Sequence, residues 1–211
     1  MGTGKGGKPD PHGVDVPEPY FRRELLTVPE GKQLDSSAAR AAEAGLTCIA
    51  LELLDGAMCS LREEGAAADG AAIQPRHIDA AFRSNAELRL LWAAWLVENP
   101  PAPCTGDPSA QPSAAKSPGG AFDDAIDRLL EAVDPEGTLT ISGSAKCVVA
   151  KLLAHLVRQL TNAAAELSTR VNSDVIHGED VRAACRVLTT GELRLLLDRE
   201  VRAAMAKAPP G

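Results

Sequence analysis

The sequence predicts an all-α protein, and three observations carry that expectation. Hydrophobic residues make up 45% of the chain but aromatics only 3%, so a core has to be built from Leu, Val, Ile and Ala. A composition rich in Ala and Leu and poor in β-branched and aromatic residues favours helices over strands. No stretch alternates apolar and polar residues over a strand's length, whereas several place apolar residues three and four apart. At 211 residues the chain suits one ordinary domain or two small ones.

Residues 1–19 are rich in Gly and Pro, lack an apolar period and read as a disordered tail. A first folded segment is expected over 20–98. It opens with a short helix near YFRRELLTV, followed by the loop PEGKQLDSS, where Asp35 or Ser36 supplies an N-cap. A long helix then runs from about Ala38 to Glu64, with Leu46, Ile49, Leu51, Leu53, Leu54 and Leu61 apolar, until GAAADGAA breaks it. A short helix spans Pro75 to Phe82, with Pro75 at the first helical position, where its missing N–H costs nothing. Ser84, with Glu87 three residues on, reads as a capping box for a helix over SNAELRLLWAAWLV.

Residues 99–120 are dominated by Pro and Ser and read as an extended linker. A second segment, 121–211, repeats the plan. FDDAIDRLLEAV is a short helix, DPEGTLTIS a loop, and GSAKCVVAKLLAHLVRQLTNAAAELSTR a long helix with a wide stripe from Val148 to Leu160. VNSDVI is a loop, GEDVRAACRVL a short helix, and TTGELRLLLDREVRAAMAKA a closing helix capped by Thr190. A long helix with so wide an apolar face cannot bury it alone, but two such units folded antiparallel on each other can.

The charge balance narrows the function. Twenty-two Lys and Arg face 29 Asp and Glu, a net charge of −7, and both halves are acidic. Neutralising phosphates needs cations, so strong nucleic-acid binding by this chain alone is not expected. The five cysteines form no CxxC pair and no Cys/His cluster, so no metal or cofactor is expected. Cys48, Cys59, Cys147 and Cys185 fall in helical patterns as small buried hydrophobes, in keeping with a reducing compartment. No secretion signal and no apolar run long enough to span a bilayer is read, which points to a soluble protein inside a cell or packaged in a particle made there. His77, His155 and His177 read as structural, Trp92 and Trp95 as core or interface anchors, and Asp123, Asp124 and Asp127 as a solvated first turn. No paired-carboxylate site or nucleophile emerges, so no catalytic residue and no small-molecule substrate is assigned.

Particular stretches go further than the pattern. IQPRHIDAAFRSNAEL is similar to the loop-to-helix segment of histone 2A, and ALELL resembles a Leu-Glu-Tyr-Leu run in the helix before it. VDPEGTLTIS resembles the His-Pro-Asp-Thr-Gly-Ile-Ser loop of histone 2B, and AACRVLTTGELRLLLDREVRAAMAK resembles its last two helices, with Gly-Glu-Leu at Gly191–Leu193. The chain thus resembles a histone doublet, two core histones fused in one polypeptide, as found in some giant DNA viruses. The resemblance implies two histone folds in tandem, forming an intramolecular handshake pseudo-heterodimer. It also implies an architectural chromatin protein that pairs with a histone 3/histone 4-like doublet or tetramer to wrap and compact double-stranded DNA. The nucleus or viral factory of a host cell, and the virion, would be its locations.

Carried over to matching positions, the resemblance puts DNA contacts at Arg22, Arg23, Lys32, Arg76, Ser142, Ser144 and Lys146. It puts a partly kept acidic patch at Glu52, Glu87, Glu192 and Glu200. The departures weaken DNA binding. Ala71 and Ala72 stand where histone 2A has an arginine, and Asn172, Ser173 and Asp174 where histone 2B has Lys-Arg-Ser. The basic tails shrink to Lys5 and Lys8, and AAWLVENPPAPC turns into linker where a docking tail would run. DNA affinity is therefore expected to be weak without a more basic partner. The alternative is an acidic histone-fold interaction module or scaffold with little or no DNA wrapping.

Overall fold

The computed structural model describes residues 21, 26–65, 71–98 and 119–207. The order of elements is β1 (Gln33–Leu34), α1 (Ser36–Glu63), β2 (Ala71–Ile73), α2 (Pro75–Ser84), α3 (Ala86–Glu98), α4 (Gly119–Val133), β3 (Leu139–Ile141), α5 (Gly143–Arg170), β4 (Val175–Ile176), α6 (Gly178–Leu188) and α7 (Gly191–Ala206). The chain is mostly helical, as expected, and four stretches read as loop are short strands paired in parallel. Two or three residues cannot show a period, and a parallel partner is necessarily distant in sequence.

The helix ends follow local chemistry with some changes of residue. Asp35, not Ser36, caps α1, its Oδ1 accepting from the Ala38 N–H at 2.6 Å. Pro75 takes the first position of α2, as expected. Ser84 does not cap α3. It ends α2 and its hydroxyl donates to the Ala81 carbonyl, while Asn85 Oδ1 accepts from the N–H groups of Glu87 and Leu88 at 2.9 and 3.1 Å. Thr190 makes no side-chain cap on α7. The helix expected near YFRRELLTV is not found in its described part: Phe21 sits in a bend and Leu26–Val28 are irregular ahead of Pro29, which disfavours helix in the residue before it. Helix α4 begins at Gly119, inside the stretch read as linker. The tail 1–19 and residues 99–118 lie outside the described residues.

Two bridges join the first segment to the second. β1 pairs parallel with β4, Gln33 against Val175 and Leu34 against Ile176. β2 pairs parallel with β3, Ala71 against Leu139 through Ile73 against Ile141. In each pair, the loop before one long helix meets the loop after the other. Between the bridges, α1 packs on its own neighbour α2 and on α4, α5, α6 and α7. One hydrophobic cluster results, with Leu46, Leu53, Leu54, Ile78 and Phe82 from the first segment against Ile126, Leu129, Leu152, Leu153 and Ile176 from the second. Phe21 meets Phe122 edge to face at 6.1 Å across the same divide.

Helix α1 is also long and apolar enough, by length and composition, to cross a membrane, with a mean hydropathy of 1.5 over its most apolar window. That corrects the expectation that no run qualifies. Its placement accounts for the composition, since helices from both segments pack around it. At Gly45 an added Cβ would lie 3.2 Å from Cys185 Sγ, so the absence of a side chain lets α6 come close. Cys48 and Cys185 are buried as expected, Cys147 is half-buried, and Cys59 is exposed, contrary to its reading as a core residue. His155 is buried, and Phe82, Trp92 and Trp95 form a continuous stack with centroids 4.3 and 4.4 Å apart.

Candidate nucleic-acid interface and acidic recess

The β2–β3 bridge places the first turn of α2 beside the first turn of α5. Ser142 N–H donates to the Ile73 carbonyl at 3.0 Å, which fixes the two turns against each other. Ser142 caps α5, accepting from the Ala145 N–H at 3.2 Å, and the hydroxyls of Ser142 and Ser144 are 3.2 Å apart. Arg76, on α2, has a side chain 66% exposed but is paired with Glu64 at 3.1 Å. His77 is fully buried, with Nδ1 accepting from the Gln74 N–H at 3.0 Å. That assignment leaves Nε2 to donate to Glu64 Oε2 at 3.1 Å. Hydrogen bonds from His77 and then Arg76 hold the Glu64 carboxyl below its ordinary range. Lys146 is 24% exposed and bound to Asp127 of α4 at 2.6 Å.

The β1–β4 bridge holds Lys32, whose Nζ donates to the Ser173 carbonyl. Here the N-termini of α1 and α6 share one network. His177 Nδ1 lies 2.7 Å from Asp35 Oδ2, and Ser37 donates to Asp35 Oδ1 at 2.8 Å while accepting from the Gly178 N–H at 2.9 Å. The His177 N–H donates to Asp180 at 2.8 Å. Burial raises the Asp35 pKa, but the bonds from Ala38, His177 and Ser37 outweigh it and leave the carboxyl below its ordinary value. The position at a helix N-terminus that a phosphate would take is thus filled by the chain's own carboxylates.

Of the seven residues expected to touch DNA, the structure brings Arg76, Ser142 and Ser144 to one bridge and Lys32 to the other. Lys146 lies against α4, and Arg22 and Arg23 fall outside the described residues. The three described cations are each bonded within the chain. The Asp35–His177 contact escaped the sequence because its partners are 142 residues apart.

The acidic residues converge more closely. Glu52, Glu87 and Glu192 line one open recess of about 540 Å³ between α1, α3 and α7, together with Leu193 and Leu196. Glu200 lies outside it, paired with Arg199 at 2.9 Å. It still belongs to the same neighbourhood: burial, then the charges of Glu52 and Glu200, push the Cys48 thiol up to about 12. Glu87 is not free to greet a partner. Its two oxygens accept from the backbone N–H groups of Glu192 and Leu193 at 2.7 and 2.6 Å, so a residue of α3 caps α7. Gly191 makes room for it, with φ of 58° and no Cβ where Glu87 Oε1 sits. Among the described residues, no group of His, Cys, Asp and Glu is arranged to hold a metal ion.

No family model and no solved structure matches the chain. It is 27% identical over 100 residues to histone H2B of Encephalitozoon cuniculi (strain GB-M1), a stretch covering 47% of this chain and 77% of that histone. A mostly helical chain with that similarity is histone-like.

Proposed function

We propose that the chain is an architectural chromatin protein, a fused histone 2A/2B-like dimer in one polypeptide. Its two histone folds close on each other as a handshake pseudo-heterodimer. The observation that carries this reading is the reciprocal bridging of β1 with β4 and β2 with β3 around a shared core, alongside the similarity to histone H2B. In this reading the chain wraps and compacts double-stranded DNA together with a basic histone 3/histone 4-like doublet or tetramer. It acts in the nucleus, or in a viral factory and virion, as a structural protein and not an enzyme, with no cofactor, membrane or small-molecule substrate. The chain alone binds DNA weakly, because Lys32, Arg76 and Lys146 are already bonded and fewer cations are left to displace counterions.

A second reading, an acidic histone-fold interaction module with little or no DNA wrapping, is favoured by those same bonds and by Asp35 and Asp180 at the N-termini of α1 and α6. A low-salt gel shift with nuclease digestion separates the two. A discrete protected particle that forms only when a basic histone 3/4-type partner is added supports the architectural role. DNA association in neither condition leaves the interaction module. Within the first outcome, replacing Arg22 and Arg23 together with Glu weakens the particle without unfolding the chain if those arginines face the duplex.

A further inference from the structure

On one face of α6 and α7, guanidinium groups gather around Asp198. Asp198 Oδ1 accepts from Arg182 Nε at 2.7 Å and Arg186 Nε at 2.9 Å, and its Oδ2 accepts from Arg202 at 3.1 Å and Arg182 at 3.3 Å. Arg182 is 15% exposed and gives its other terminal nitrogen to Glu179. Arg186 and Arg202 are 50% and 64% exposed, and each reaches Asp198 through one nitrogen only. A guanidinium carries five N–H donors, so most of theirs are left over. Arg194, exposed and one turn before Asp198 on α7, has no ion-pair partner among the described residues. Nearby Arg199 and Glu200 satisfy each other. Four guanidiniums against Asp198 and Glu179 make a local positive excess on a chain whose net charge is −7.

Two arginines tied to one carboxylate are held close together, so a second oxyanion meets donors that are already ordered. A phosphoryl group suits them, since its several oxygens can accept from both forks at once. We propose that Arg186 and Arg202, positioned by Asp198, form a binding site for a phosphoryl oxyanion, with Arg194 beside it. The site does not depend on the chain being part of a DNA particle. The oxyanion can belong to a nucleic-acid backbone or to a phosphate monoester.

The test uses the full chain, titrated with pyrophosphate and separately with a short DNA duplex while the arginine Nε–H signals are followed by NMR. Pyrophosphate is expected to move the Arg186 and Arg202 signals, and R186Q/R202Q to weaken binding at least tenfold. R83Q, on α2, should leave it unchanged. D198N is expected to weaken binding although it removes a negative charge, because the two guanidiniums lose their anchor. Circular dichroism shows whether each variant folds, and if D198N does not, R186Q/R202Q alone decides. Duplex binding lost in the double variant assigns the oxyanion to nucleic acid, and pyrophosphate binding without duplex binding assigns it to a monoester. Absence of pyrophosphate binding in the parent chain, equal binding by the double variant, or tighter binding by D198N overturns the proposal.

Discussion

Glu87 and Glu192 are 105 residues apart, yet one carboxylate fastens the helices that carry them. A residue at 191 with a Cβ would collide with Glu87 Oε1, and a φ of 58° disfavours any L side chain there. Gly191→Ala is therefore expected to cost about 1–2 kcal/mol, read as a lower urea midpoint. Glu87→Ala should cost a similar amount, and the double variant less than the two together, since both remove the same cap. Full additivity would show that Gly191 and Glu87 act separately. The example also shows why caps were only partly legible. Asp35 could be named because its bond is local, whereas Thr190 looked like the cap of α7 only because the real one comes from a distant part of the chain. The contribution of Asp198 depends on pH. Its hydrogen bond with Arg182, and then with Arg186, lowers its pKa from 3.8 to about 2 despite burial. Folding thus favours the ionised form, so the stabilisation is complete above about pH 4 and is lost as pH falls through 2. Asp35, also lowered, acts in the same direction. Urea midpoints taken between pH 5 and pH 2 should fall less steeply for Asp198→Asn than for the parent chain, and parallel slopes would contradict the assignment.

At the scale of elements, the two long helices were legible because apolar residues three and four apart leave no other way to bury a continuous stripe. Their flanking helices followed from Pro75 and from the spacing of Phe122, Ile126 and Leu129. The strands were not legible. Ala71–Ile73 and Leu139–Ile141 carry no signal by themselves, because each finds its parallel partner far away in sequence. The Pro-Ser linker was drawn two residues too long because Gly119 and Gly120 are poor helix formers that α4 nevertheless includes. The central elements share a fate as well as a core. Leu153 of α5 is 1% exposed within the common cluster. Leu153→Asp places an unpaired charge there and should cost about 3–5 kcal/mol. Thermal unfolding followed by tryptophan emission, which reports Trp92 and Trp95 of the first segment, should shift together with the overall helical signal. Tryptophan emission that melts as in the parent chain while helicity falls would mean that the segments are independent.

For the whole molecule, the repeated plan of elements revealed that the segments could close on each other, while the pairing of charges across them could not be foreseen. Lys32 to Ser173, Asp35 to His177 and Glu87 to α7 all join residues from different halves, and two of these residues, Lys32 and Glu87, were expected to face a partner. Among the described residues each strand pairs with one from the other half, and α1 packs more widely on the second segment's helices than on its own neighbours. Separate polypeptides covering residues 1–98 and 119–211 should therefore be unfolded or aggregated when each is alone, because the stripes of α1 and α5 would face water. Mixed, they should recover helicity and melt cooperatively, at a temperature that rises with concentration as expected for two chains. The intact chain should melt higher and independently of concentration, because its covalent connection turns association into an intramolecular step. Circular dichroism melts at several concentrations distinguish these cases. A cooperative, concentration-independent transition from either polypeptide alone would show that its core is its own.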